Sequence, residues 1–281
     1  MKTDVRRKLS SAGLFLLFVI ISVMLLFPVY YLILASLQPS SEVFRSGMRL
    51  YFDSDIMGLN NYKLLVSYRD GIYFLWFKNS VLIAALFTIS SLFFSSLVGY
   101  GLGIYDFKFK NTVFTMVLIV MMIPLEILML PLYKLTVQLK IINTYAGVIL
   151  PFMVSPIAIF FFRQYVSGIS KDYLDAGRID GCTEMGIFFR IMVPLMKPAF
   201  GAMTILLAMQ NWNSFVWPLI VLRTNEMFTL TIGLSSLINP YGDNFDIMNA
   251  GAVLAIIPIV ILFLFNQRFF ISGLTAGGVK G

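Results

Sequence analysis

The 281-residue sequence has no histidine and one cysteine, Cys182. Without an imidazole there is no His-ligated metal site and no histidine general base, and a lone thiol cannot close an internal disulfide. Charge is also scarce. Asp, Glu, Lys and Arg make up 12% of residues, about half the share of an ordinary soluble domain. No G-x-x-x-x-G-K-[ST] sequence occurs, so there is no phosphate-cradling loop and the chain does not hydrolyse ATP by itself. The ending Gly277-Gly278-Val279-Lys280-Gly281 has neither the Gly-Lys-Ser/Thr step nor a following helix. Ser–His and Cys–His pairs are excluded because one member is missing. An intramembrane enzyme would lack a recognisable constellation of nucleophile and base, and no metal site is expected.

Hydrophobic residues instead fill 59% of the chain. A span needs about 20 mainly apolar residues to cross about 30 Å of hydrocarbon. Six stretches qualify: Leu14–Leu37, Val81–Gly103, Val113–Leu132, Tyr145–Phe162, Phe200–Leu222 and Ala250–Phe265. The reading is an all-α membrane protein with six transmembrane helices. Lys2, Arg6, Arg7 and Lys8 ahead of the first stretch resemble a signal peptide's basic region. The apolar run is too long for such a peptide and no small-x-small cleavage site follows, so a retained helix is expected. The formal charge of +7 then reports lysines and arginines held at the cytoplasmic face, not a nucleic-acid partner. With the N-terminus inside, 13 of the 21 basic residues are cytoplasmic. Both termini and the segment 163–198 come out on that side.

Prolines interrupt the spans at Pro28, Pro124, Pro131, Pro151, Pro156 and Pro258. Proline removes a backbone donor and kinks a helix, tolerated where neighbours or a cavity re-satisfy the freed carbonyls. Static packing and a bundle that bends between two openings are both compatible with this pattern.

The segment 163–198 is the polar exception among the apolar runs. Ser170 can cap a short helix from Lys171 to about Asp180, with Asp172 in its first turn. Gly181 suits a left-handed turn. A second helix from Thr183 to about Met192 is expected to stop at Pro194. Leu174, Ile179, Ile187, Phe188 and Ile191 supply apolar faces. The result is a helix-turn-helix projection stiff enough to transmit a push; the alternative is a solvated loop with incidental amphipathicity.

Elsewhere, Glu126 lies inside the third stretch, where a lone carboxylate costs about 2.5–3.5 kcal/mol at the bilayer centre on insertion scales. It must be paired, protonated, near an interface or facing a wet cavity. Asn211, Trp212, Asn213, Phe215 and Trp217 combine amides with aromatic rings in the fifth stretch. Amides bond sugar hydroxyls and rings cover pyranose C–H faces, although interface anchoring and helix pairing use the same residues. Glu126, Asn211, Trp212, Asn213 and Trp217 are therefore candidates for a substrate pathway.

Asp175-Ala176-Gly177, three residues, Gly181, nine residues, Ile191, one residue, Val193-Pro194 resembles the Glu-Ala-Ala loop of ABC-importer permeases. Asp175 stands for the usual Glu, Gly177 for the second Ala and Val193 for Leu. Asn143-Thr144-Tyr145-Ala146-Gly147, Phe162-Arg163-Gln164, Arg178-Ile179-Asp180-Gly181, Asn211-Trp212-Asn213-x-Phe215 and the Gly273–Gly281 ending resemble its carbohydrate-uptake branch, on the side of the maltose system's G subunit. The resemblance implies a type I importer permease fold in the bacterial cytoplasmic membrane, as a single transmembrane permease domain over 1–281. It also implies a coupling helix, seated on a cytoplasmic ATPase, at Asp175, Ala176, Gly177, Arg178, Asp180, Gly181 and Pro194. The tail 268–281, with Thr275, Gly277, Gly278 and Lys280, would reach toward the same ATPase. The implied partners are a homologous second permease, two ATPase copies that bind the ATP and Mg, an extracytoplasmic solute-binding protein, membrane lipid and a carbohydrate. The chain itself would hold no cofactor. Within the branch the leaning is an arabino-oligosaccharide, and no residue selects it. Rival readings are an ABC permease for a non-sugar solute and an ion-coupled secondary transporter, which predicts paired intramembrane charges.

Overall fold

In hydrocarbon a backbone must satisfy its own N–H and C=O groups, so apolar runs become helices. A computed structural model describes residues 2–47, 49–238 and 244–276, with backbone alone at 2–10, 46 and 270–276. Its regular structure is helical, with no strand among the described residues. In chain order the helices are α1 (Lys2–Leu37), α2 (Ser40–Ser46), α3 (Asn60–Ser67), α4 (Ile72–Ile104), α5 (Lys110–Met121), α6 (Leu125–Gln138), α7 (Tyr145–Ile149) and α8 (Pro156–Val166). They continue with α9 (Asp172–Ile179), α10 (Glu184–Ile187), α11 (Val193–Leu195), α12 (Lys197–Trp212), α13 (Val216–Val221), α14 (Leu230–Ser236) and α15 (Phe245–Ala276).

Three stretches are long and apolar enough to span: Ser11–Leu37, Phe245–Phe269, and Asn60–Ile104, which runs through α3, a kink at Arg69 and Asp70, and α4. Counting bent pairs as spans raises the number to six. The third expected span is not straight, because α5 and α6 meet at 101°. Turn-type bonds from Met122 N–H to Ile119 O and from Ile123 N–H to Val120 O close α5, and Pro124 caps α6 in an extended conformation. The fourth bends by 45°, with Ser155 capping α8 ahead of Pro156, where a missing N–H costs nothing. The expected fifth span from Phe200 to Leu222 is also corrected. It ends at Trp212 and resumes at Val216: the backbone N–H (3.1 Å) and the side chain (3.0 Å) of Asn213 both donate to Met209 O, and Ser214 N–H turns back to Asn211 O. Pro28, Pro131 and Pro258 stay inside continuous helices.

Packing divides the chain into two compact units: Met1–Tyr73 with Leu234–Ile256, and Phe74–Gly233 with Ile257–Gly281. In the first, the buried Asn61 side chain donates to Ser36 O and Gln38 O, and the Tyr73 hydroxyl donates to Gly251 O. The second holds the larger core, with Phe162, Phe188, Met192, Met196 and Leu207 all at most 1% exposed. The Asn143–Gly147 motif belongs to this unit. The Asn143 side-chain oxygen accepts the amides of Arg223 and Thr224, Thr144 caps α7 through Gly147 N–H, and Tyr145 donates to Asn79.

Candidate coupling site and solute path

The polar segment folds as an elbow. Asp172 N–H donates to the Ser170 hydroxyl (3.3 Å) at the start of α9. At the other end Gly181 takes φ +75°. Gly181 N–H reaches Arg178 O (3.0 Å) and Cys182 N–H reaches Gly177 O (2.9 Å), the paired bonds that close a helix around a left-handed residue. Thr183 then caps the next segment, its hydroxyl accepting from Gly186 N–H at 3.1 Å. Leu174, Ile187, Phe188 and Met192 are buried inside the elbow. Gly177 lets its two arms close, since a Cβ there would come within 2.7 Å of the Ile191 side chain.

Two expectations change. Pro194 does not stop the second arm. A π turn at Phe188–Met192 precedes it and α11 carries through to Leu195, the wider hydrogen-bond spacing accommodating a residue with no N–H. The arm then meets α12 at 78°. Ile179 joins no apolar face and is 86% exposed. Ala176, Asp180 and Gly181 are exposed as well, while Gly177 is buried. The elbow therefore presents an outward tip of small, acidic and apolar residues.

A polar clasp locks the elbow to the end of α4. The Arg178 guanidinium pairs with Glu184 (2.9 Å) and Asp175 (3.2 Å). The Tyr105 hydroxyl donates to Glu184 Oε2 at 2.5 Å, and the Tyr100 ring packs on Phe188 at 5.0 Å. Arg178, and secondarily Tyr105, hold the Glu184 carboxyl below the usual carboxylate range. Burial and then the bond to Glu184 push the Tyr105 hydroxyl up. Tyr105 and Glu184 were not among the sequence candidates. The only sequence cue was an acidic residue directly after the Thr183 cap.

The pathway candidates separate. Asn211 and Trp217 line one recess of about 160 Å³ with Phe87, Phe152, Gln210 and Ser214. Trp217 is 2% exposed, donates to Gly147 O and meets Phe152 edge-on at 5.5 Å, so its polar atom is already used. Glu126 is exposed in the first turn of α6, next to Leu125, which lines the same recess. Trp212 lies elsewhere, on an apolar cavity of about 280 Å³ with Pro258 and Met209, and Asn213 acts as a helix-end cap. Gln210, Ser214 and Phe152 are additions that sequence pattern did not supply. Thr275 lies in the last described turn of α15, and Gly277, Gly278 and Lys280 lie outside the described residues.

Residues 92–275 match the family described as "Binding-protein-dependent transport system inner membrane component". The chain belongs to this family. It is 59% identical over 269 residues to the arabinooligosaccharides transport system permease protein AraQ of Bacillus subtilis (strain 168), covering 96% of this chain and 95% of that protein. It is 32% identical over 280 residues to the lactose transport system permease protein LacG of Rhizobium radiobacter, covering all of both. Among solved structures it shares its fold with a chain of a bacterial ABC transporter involved in the import of the acidic polysaccharide alginate. That match has TM-score 0.82 at 21% identity over 94% of this chain and 97% of the other. This family member is thus a membrane transport component with the helical architecture of an ABC importer's permease.

Proposed function

We propose that this family member is a transmembrane permease subunit of an ATP-driven, binding-protein-dependent importer of carbohydrate, with an arabino-oligosaccharide as its cargo. The observation that carries the reading is the 59% identity to an arabinooligosaccharide permease along 96% of the chain. It sits in a bacterial plasma membrane as a multi-pass chain with both termini and the elbow on the cytoplasmic side, supported by the basic residues gathered there.

A second permease shares the path, a binding protein delivers the sugar from outside, and two copies of an ATPase bind the ATP and Mg that this chain has no loop to hold. The exposed tip at Asp175, Ala176, Asp180 and Gly181 seats on the ATPase, with Arg178, Gly177 and Pro194 shaping the elbow behind it. The tail through Thr275, Gly277, Gly278 and Lys280 reaches the same partner. Closure of the ATPase pair pushes the tip, and the clasp carries that push into α4 while the 78° junction carries it into α12. A push has an effect only if the two states differ in their contacts, which a stiff elbow ensures.

Sugar hydroxyls meet the amides of Asn211 and Gln210, and the Phe152–Trp217 pair supplies the aromatic wall of the path. Glu126 stands at the α5–α6 bend beside it, while Trp212 and Asn213 brace α12.

Uptake of labelled sugars by a strain lacking the chain tests the cargo. Arabino-oligosaccharide uptake is expected to vanish and to return on complementation. Unchanged uptake of that sugar, with loss of lactose or glycerol 3-phosphate uptake, would overturn the cargo assignment.

A further inference from the structure

Arg163 sits in the last turn of α8, at the same end as the start of α5. Its guanidinium carbon lies 3.6 Å from the centre of the Phe114 ring, and Phe114 stacks in turn on Phe160 at 6.1 Å. This stacking fixes the plane of the fork. Yet Arg163 Nε is buried with no hydrogen-bond partner, and no carboxylate pairs with the group among the described residues. Arg163 is half-buried, and a guanidinium held flat against a ring keeps its planar edge to offer to an anion.

The space beside it suits such a group. A recess of about 530 Å³ is lined by Arg163, Lys110, Asn111, Thr112 and Asp106. Phe109 enters α5 in a left-handed conformation with no side-chain cap. Lys110 N–H turns back to Phe107 O, whereas the Asn111 and Thr112 amides have no backbone acceptor among the described residues. Donors at a helix start favour an oxyanion, and here they share the recess with the free fork. Asp106 is the one opposing charge in the lining, and Lys110 Nζ already neutralises it at 3.0 Å.

We propose that this recess binds a phosphate oxyanion, held bidentately by Arg163 and by the first-turn amides of α5. Its position where apolar helices α5 and α8 end suits the headgroup of an acidic phospholipid, and free phosphate offers the same chemistry.

The test uses the protein purified with its retained partners, stripped of lipid, and titrated under native mass spectrometry. Phosphatidylglycerol, phosphatidylcholine and inorganic phosphate are added separately. The wild type is expected to hold one more tightly bound phosphatidylglycerol than R163Q, whose affinity at that step falls about tenfold or more. R163K, with charge but no fork, falls between, and phosphatidylcholine shows no difference. An Arg163-dependent step with inorganic phosphate but not with phosphatidylglycerol assigns the site to the free anion. K110Q, which leaves Asp106 unneutralised, weakens the same step and decides the matter if R163Q does not assemble. Identical binding by wild type and variants in all three titrations overturns the proposal. So does loss of a protein partner from R163Q with lipid and phosphate binding unchanged, since that gives Arg163 to a partner's carboxylate.

Discussion

Glu184 is the residue on which the elbow's rigidity turns, because it bonds Arg178 on one arm and Tyr105 beyond α4. Its carboxyl is held below the usual range. A lowered folded pKa means the clasp's contribution is fully present above the unfolded carboxylate value of about 4.3 and is lost as pH falls through the lower folded one. Near neutrality the clasp should be insensitive to pH, and it should loosen only in strong acid. Tyr105→Phe removes one bond without adding charge. Hydrogen exchange of the amides from 181 to 187 is expected to rise by a factor of a few in that variant at neutral pH. Unchanged protection would show that Tyr105 does not hold the elbow. Neither residue was legible beforehand, since they lie 79 positions apart and only the packed chain brings them together.

At the scale of the element, the elbow was largely readable, because its determinants are local. Ser170, Gly181 and Thr183 each act within a few residues, and all three do what their side chains or lack of one dictate. Local rules give way where they compete with longer-range packing. Pro194 looked like a stop, but a π turn absorbed its missing donor. Ile179 looked like core, but Leu174, Ile187 and Phe188 fill the interior without it. The break after Trp212 falls in the polar run Gln210-Asn211-Trp212-Asn213-Ser214, which apolar residues on both sides made look like part of one span, and the bonds of Asn213 to Met209 O mark where the helix ends.

The exposed tip is also where a single change should separate coupling from folding. Gly181→Asp adds bulk and charge at a position with open space around its Cβ in the chain alone. It should sharply reduce ATPase retention and transport while membrane yield stays normal. Gly181→Ala, which imposes about 1–2 kcal/mol of left-handed backbone cost without the carboxylate, should be milder. Equal effects of the two would point to backbone strain as the cause, not the surface.

For the whole molecule, six apolar stretches were legible from length and composition, whereas their bends were not. Proline content marked where bends were possible, yet Pro28, Pro131 and Pro258 remain inside helices while Pro124 accompanies a 101° turn. What distinguishes Pro124 is the pair of turn bonds that closes α5 just before it. Likewise, the amides and rings around Asn211 were visible as a cluster in sequence, but the fold sends Trp212 to a different cavity from Asn211 and Trp217.

The central claim is that this chain works as the membrane half of an ATP-driven machine. Its most direct test is co-purification from the native membrane in mild detergent, with mass spectrometry of everything retained. An ATPase, a homologous second permease and a sugar-binding protein are expected in the preparation. A folded chain recovered without an ATPase, together with sugar uptake that persists after the ATPase is deleted, would contradict it.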